Sequence, residues 1–120
     1  MKIAASSQGK ELSSMVDPRF GRAQYFIVVD TETGEYTSHS NEMNLNAMQG
    51  AGIQSAKNVS DFGVQAVISG NMGPNAFATL QAAGIDVYVK ASGTVRDAVD
   101  AFKEGKLEKI DKANVGGHWA

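Results

Sequence analysis

Two arginines in a short glycine-containing loop are the residues best suited to binding an anion. The segment "DPRFGRA" (17–23) carries Arg19 and Arg22, with Phe20 and Gly21 between them. Two guanidinium groups can hold a polyanion through charge-assisted hydrogen bonds. The alternative is that Phe20 plugs the core while the arginines pair with carboxylates. The residues by themselves leave both interpretations open.

A second candidate for anion binding is the segment "GNMGPNAF" (70–77), which joins an apolar run to a helical pattern. Pro74 suits the first position of a helix, and Gly73 lets the backbone turn before it. The start of a helix offers unpaired N–H groups and a partial positive charge, to which Asn71 and Asn75 add side-chain amides. The alternative is a plain connecting turn, because most Gly-Pro turns bind nothing.

The methionines suggest a soft ligand. Apart from Met1 they are Met15, Met43, Met48 and Met72, and all four fall in predicted loops. Thioethers are polarisable, so they suit copper(I) or a sulfide-rich ligand better than hard ions. Filling gaps in a core is the alternative role for each of them.

Other residue types exclude several function classes. The chain has no cysteine and only two histidines, which excludes thiolate-held zinc and cysteine-ligated iron–sulfur clusters. A net charge of −2 argues against nucleic-acid binding. No motif assembles a nucleophile, a base and an orienting group. The pattern therefore predicts a protein that holds a ligand and is not an enzyme.

The chain reads as alternating strands and helices in one domain. The spacing of apolar residues predicts an α/β fold with an open mixed sheet, helices on both faces, and strand two antiparallel. The predicted strands are 2–6, 24–30, 35–41, 64–70 and 85–90, and the predicted helices are about 50–62, 74–83 and 94–104.

This topology places the candidate residues at one edge of the sheet. Loops 7–23, 42–50, 71–73 and 91–94 would share the carboxyl edge, where open α/β sheets bind ligands. We expect one domain over 1–120, with a loosely structured tail from about 108. No apolar run reaches the roughly 18 residues of a membrane span, and no signal peptide is evident, so we expect a cytoplasmic protein.

Two stretches carry a family resemblance. "DPRFGRAQYF" and "GAGIQSAKNVSDFGVQAVISGNMGPNAFATLQAAGIDVY" resemble the dinitrogenase iron–molybdenum cofactor biosynthesis family, over Lys2 to about Leu107. The resemblance implies a ribonuclease-H-like three-layer α/β/α fold with a mixed five-stranded sheet. Family members often have a histidine before "GAG", whereas this chain has Met48 and Gln49. This departure argues against holding an iron–molybdenum cofactor through imidazole.

The short, cysteine-free chain is most similar to family members that carry a molybdenum–copper sulfide cluster, two tetrathiomolybdate units bridged by copper, without covalent attachment. The resemblance thus implies a non-enzymatic carrier of an anionic metal–sulfur cluster. It also implies ParA/MinD-like ATPases as partners. The alternatives are a small-anion or nucleotide-binding regulatory module and a carrier of an iron–molybdenum cofactor precursor. The expected cofactor-binding residues are Arg19, Phe20, Gly21, Arg22, Met48, Gly50, Asn71, Met72, Gly73, Pro74 and Asn75.

Overall fold

A computed structural model describes residues 1–45, 47 and 49–116 of the chain. Its elements in chain order are β1 (Lys2–Ser7), β2 (Tyr25–Asp30), β3 (Tyr36–Ser40), α1 (Glu42–Leu45), α2 (Ala51–Ser60), β4 (Ala66–Ile68), α3 (Pro74–Ala82), β5 (Asp86–Val89), α4 (Val95–Lys103) and β6 (Glu108–Ile110).

The strands form a mixed sheet in the order β3-β2-β1-β4-β5-β6. β1 pairs in parallel with β4, and β4 with β5. β2 runs antiparallel to both β1 and β3. The predicted mixed sheet with an antiparallel second strand is therefore confirmed. The loops that follow β1, β3, β4 and β5 share the carboxyl edge of the sheet.

The sheet has six strands, so the prediction of five was wrong. The sixth strand, β6, pairs antiparallel with β5 and places Ile110 opposite Val87. Ile110 is partly buried against the core, and exposed Lys90 pairs with Glu108 at 2.8 Å. The strand has only three residues. It is therefore too short to show the alternation of apolar and polar residues that identifies strands in a sequence. It lies in the segment that we expected to be loosely structured.

Helices cover both faces of the sheet because the central strands are apolar on both sides. Within β2, Phe26 and Val28 face α2 and α3, whereas Ile27 and Val29 face α4, as the two-residue period of a strand requires. All of β4 is buried. The result is a three-layer α/β/α arrangement, with α2 and α3 packed together on one face. One addition is α1, a single turn inside the region predicted as loop 42–50.

Candidate functional site

The arginine loop, residues 17–23, lies directly against the turn that begins α3. Arg19 and Asn71 form an isolated parallel β-bridge. The side-chain amide of Asn71 donates to the Pro18 carbonyl at 3.3 Å. A β-carbon at Gly70 would lie 2.7 Å from the Pro18 Cα, so this approach requires glycine. The structure therefore brings together the two segments that the sequence singled out separately.

Asp17 stabilises the conformation of the arginine loop through hydrogen bonds to its backbone. Its buried carboxylate accepts hydrogen bonds from the N–H groups of Arg19, at 3.0 Å, and Gln24. Burial raises the pKa of the Asp17 carboxyl, while these two hydrogen bonds and the charge of Arg19 oppose the shift. The Asp17 backbone is tied to β1, because Ser6 donates its hydroxyl to the Asp17 carbonyl at 2.7 Å.

The middle of the arginine loop is anchored in the core and to α2. Phe20 is only 1% exposed, and its ring centroid lies 5.0 Å from that of Phe26. The Gly21 carbonyl accepts from the Ser55 hydroxyl at 2.8 Å and from the Asn41 amide at 3.2 Å. Phe20 thus serves packing, as the alternative interpretation of the sequence had it. The loop spans from α2 on one side to the α3 turn on the other.

The two arginines differ in environment. The Arg19 side chain is exposed, whereas Arg22 is half-buried and engaged with a neighbour. Arg19 therefore offers its guanidinium to solvent at the carboxyl edge, next to the α3 turn. Arg22 lies further along the same loop.

The helix that follows this turn begins without a side-chain cap. Gly73 is the residue before α3 and Pro74 the first helical residue; no described side chain caps this end, and its first turn contains no acid. Because Phe77 donates the helix's first backbone bond, to the Gly73 carbonyl, the N–H groups of Asn75 and Ala76 have no partner within the helix. These N–H groups and the helix dipole favour an anion.

The neighbouring helix begins in a similar way. α2 starts after Gly50, which has a φ of 79°, again with no described side-chain cap and no acid in the first turn. Both helices start at the carboxyl edge of the same sheet face, and the arginine loop lies between them. The exposed Arg19 and the N-termini of two helices therefore lie around the same edge of the sheet.

Met72 lies in the core and not on this surface. It is fully buried, and its N–H donates to the Asn114 side chain at 2.7 Å. Asn114 in turn donates its backbone N–H to the Met72 carbonyl at 3.1 Å. Met15 and Met43 are exposed, and Met15 lies beside the start of α4, where it forms a β-bridge with Thr94. Met48, another predicted site residue, lies outside the described residues.

The remaining predicted residues lie on the surface around this edge. Gly50, Pro74 and Asn75 are exposed, and Asn71 is half-buried between Pro18 and Asn114. Gly73 is buried at the start of α3. Among the described members of the predicted set, the exposed residues can contact a ligand, Arg22 and Asn71 are half-buried, and the remaining ones, Phe20, Gly21, Met72 and Gly73, are buried.

Several supporting residues were missed by sequence reasoning. Asn41 is central: its amide donates to the carbonyls of Gly21 and Ala23, and its oxygen accepts from Asn44 at 2.9 Å. The contacts with Gly21 and Ala23 join residues 20 and 18 positions apart, so local pattern could not reveal them. For Ser55 the available signal was a polar residue on the otherwise apolar face of a helix, whereas Asn41 follows a polar strand and had no such signal.

Other regions of the described chain are less suited to binding an anion or a metal ion. Among residues 1–45, 47 and 49–116, no group of three or more histidines and carboxylates is placed to hold a metal ion. An open groove of about 510 Å³ lies at the opposite, hairpin end, where Lys2 is accompanied by Asp30 and Glu35. This mixed charge does not favour an anion. None of the helices in the described part of the chain has the length and apolar character needed to cross a membrane.

The chain is similar to known proteins along most of its length. Residues 1–105 match the family model described as dinitrogenase iron-molybdenum cofactor. A Methanocaldococcus jannaschii protein is 37% identical over 113 residues, covering 92% of each chain. Nothing in these matches supports the ParA/MinD-like ATPase partners that the resemblance implied.

Two solved structures are similar to the chain in both sequence and fold. The apo form of the orange protein (ORP) from Desulfovibrio gigas superimposes with a TM-score of 0.92 at 38% identity, covering 95% of this chain and 96% of that one. A NifB-like protein from Thermotoga gives a TM-score of 0.82 at 43% identity, covering 95% and 97%. These similarities support a small cofactor-binding or carrier role. The chain belongs to the dinitrogenase iron–molybdenum cofactor family.

Proposed function

We propose that this protein is a non-enzymatic carrier that holds an anionic metal–sulfur cluster, a molybdenum–copper sulfide, at the carboxyl edge of its sheet. One observation carries the proposal. The arginine loop is fastened between α2 and α3, whose N-termini have neither a described side-chain cap nor an acidic first turn. We name the surface formed by Arg19, the start of α2 and the start of α3 the cradle.

The residues of the cradle fit a cluster of this kind. A thiomolybdate cluster is a polyanion, so the Arg19 guanidinium and the N–H groups of Asn75 and Ala76, which have no partner within α3, complement its charge. Its metals already have sulfide ligands, so it needs no cysteine from the protein, and this chain has none. Met43 on α1, the helix before α2, has an exposed thioether, a soft group that tolerates a sulfide surface.

Similarity to the orange protein supports this choice of cargo. That protein's structure was determined in an apo form, which implies a loaded form. The family description names an iron–molybdenum cofactor, which makes a precursor of that cofactor the related alternative. Met48 and Gln49 stand where other family members often have a histidine, and this favours a cluster held without imidazole.

A second candidate is a small-anion or nucleotide-binding regulatory module. The observation in its favour is the same uncapped start of α3, because helix N-termini also bind phosphate. A nucleotide would need only this helix and would not depend on copper. The two candidates therefore differ in what they bind and not in where they bind it.

Reconstitution tests the proposal. Apo protein is mixed with tetrathiomolybdate and copper under anaerobic conditions, and charge-transfer absorption is followed after unbound material is removed. We expect Arg19→Ala to weaken cluster affinity about tenfold or more, since a charge-assisted contact contributes about 1.5–3 kcal/mol. Thermal stability should hardly change, because exposed loop charges stabilise folds little.

Arg96→Ala is the matched control. Arg96 is also exposed but lies on α4, on the opposite face of the sheet, so its loss should leave uptake close to that of the unaltered protein. Equal effects of the two variants would show general charge attraction and not a site at the cradle. Failure of the unaltered protein to retain the cluster, together with tight retention of ATP, would favour the regulatory module.

A further inference from the structure

A residue near the C-terminal end of the described chain is bonded to the cradle from outside it. Asn114 lies four residues after β6 and makes three hydrogen bonds to the turn before α3. Its side-chain oxygen accepts from the Met72 N–H at 2.7 Å, and its backbone N–H donates to the Met72 carbonyl at 3.1 Å. Its side-chain amide donates to the Asn71 oxygen at 3.2 Å.

Asn71 connects Asn114 to the arginine loop. The oxygen of its carboxamide accepts from Asn114, while the nitrogen of the same group donates to the Pro18 carbonyl at 3.3 Å. The backbone of Asn71 is bridged to Arg19. Because the two side-chain bonds use opposite ends of one planar group, together they define its orientation. A chain of contacts therefore leads from Asn114 through Asn71 to the residues beside Arg19.

We infer that Asn114 is a positioning residue of the cradle, acting through Asn71 on the arginine loop; this inference rests on the proposed function. Asn114 orients the Asn71 carboxamide and holds the Met72 backbone. Asn71 then holds Pro18, and with it the register of Arg19 against the start of α3. The segment after β6 thus contributes to the geometry of the site through Asn114.

This role differs from that of a simple surface contact. The segment around Asn114 has its own attachment to the fold through Ala113, which packs against the core. Losing the Asn114 side chain should therefore leave the segment in place while freeing Asn71. The backbone should therefore open more often at the arginine loop, which Asn71 contacts, and not only at Met72.

Hydrogen exchange of the apo protein tests the connection without any ligand. In Asn114→Ala we expect the Arg19 amide to exchange about fivefold faster, as the loop opens more often, with little change in the melting temperature. Asn58→Ala is the matched control, because Asn58 pairs with Gln54 on the surface of α2 and lies near the C-terminal end of that helix, away from the cradle. An unchanged Arg19 amide in Asn114→Ala would overturn the inference.

A double-mutant cycle tests the route through Asn71. We expect Asn71→Ala and Asn114→Ala each to weaken uptake of tetrathiomolybdate and copper about fivefold, and the double variant to be no worse than Asn71→Ala alone. Additive losses would contradict action through Asn71. If the unaltered protein retains no cluster, the proposed function fails. The exchange of the Arg19 amide, measured in the same cycle, then decides the coupling by itself.

Discussion

The two helices that follow parallel strands β4 and β5 begin in opposite ways. At the start of α4, Thr94 and Asp97 form a capping box: the Thr94 hydroxyl accepts from the Asp97 N–H, and the Asp97 carboxylate accepts from the Thr94 N–H, both at 3.1 Å. At the start of α3, Gly73 and Pro74 occupy the corresponding places, and no described side chain caps the helix.

At the start of α4 the helix's own side chains accept hydrogen bonds from its N–H groups. At the start of α3 the N–H groups are available to a ligand. A capping box satisfies free N–H groups and places a carboxylate against the positive end of the helix, which excludes a second anion. Glycine and proline do neither. Both helices begin at the same edge of the sheet, and at α3 the N–H groups of Asn75 and Ala76 still have no partner within the helix. We therefore attribute the uncapped start of α3 to binding.

The largest effect should come from the glycines that precede the two helices. Alanine at Gly70 would place its β-carbon 2.7 Å from the Pro18 Cα, so we expect Gly70→Ala to lower the free energy of unfolding by about 1–3 kcal/mol. It should also weaken cluster uptake per folded molecule, because it separates the arginine loop from α3. Denaturant unfolding and reconstitution measure the two effects.

Gly93→Ala is the corresponding change at α4. Gly93 has a φ of +76° and faces the Asp97 carboxylate, so alanine there should lower stability by about 1–2 kcal/mol. Uptake per folded molecule should stay normal. If both glycine variants reduced uptake equally, the distinction between the two helix ends would fail.

The next effect concerns an acid placed at the start of α3. Asn75→Asp gives this helix the negative first turn that α4 already has. Cluster affinity should fall about tenfold, or about 1.4 kcal/mol, by repulsion between the carboxylate and the bound anion. Stability of the apo protein should rise by about 0.3–1 kcal/mol through the helix dipole.

Gln81→Glu serves as the control, since it adds the same charge in the last turn of the same helix. It should leave affinity nearly unchanged and should not stabilise the apo protein. Opposite signs for binding and stability in Asn75→Asp are the expected signature. Loss of both together would indicate damage to the fold.

Removing the cap of α4 should affect stability alone. Thr94→Ala deletes the hydroxyl that accepts from Asp97, so we expect a loss of about 1 kcal/mol and a melting temperature lower by several degrees. Cluster affinity should not change. A drop in affinity comparable to that of Arg19→Ala would place α4 within the site.

The smallest effect is a pH dependence due to Asp17, the carboxylate that holds the arginine loop as Asp97 holds the start of α4. Burial raises the pKa of Asp17 above its ordinary value, so the folded protein binds this proton more tightly than the unfolded chain. Its contribution to stability is thus present at low pH and is lost as pH rises from about 4 through the folded pKa.

Asp17→Asn removes this titration. The free energy of unfolding of the variant should fall less than that of the unaltered protein as pH rises through this window. Denaturant unfolding at several pH values measures it. Asp61→Asn, at an exposed aspartate, should keep the original slope. An identical slope in Asp17→Asn would mean that the carboxyl is not desolvated.

Sequence pattern was sufficient for the fold where elements were long and apolar. β2 was predictable because it is a run of aromatic and β-branched residues, and α4 because its apolar residues recur at the period of a helix. β6 and α1 were not, since each is too short to show a period. The candidate site was predictable in its two motifs, because charge and glycine mark them locally. The residues that hold the two motifs in place were not predictable, since Asn114 contacts Asn71 and Met72 from more than 40 residues away in the chain.

The methionines show where residue type misleads. Met72 has the chemistry of a soft ligand, yet it is fully buried in the core. A sequence states that a thioether is present but not which way it faces, because burial depends on the packing of α3 against the sheet. Met15 and Met43 are exposed at the same edge, so the distinction could come only from the structure.

The central claim, that the cradle carries a molybdenum–copper sulfide cluster, is tested most directly on protein purified anaerobically from the organism that makes it. Protein produced in another host can lack the cluster, so its colour does not decide the matter. The measurement is an absorption spectrum together with elemental analysis of the same sample. We expect charge-transfer bands with molybdenum and copper in a 2:1 ratio, as two thiomolybdate units bridged by copper require. A colourless protein with bound nucleotide and neither metal would contradict the claim.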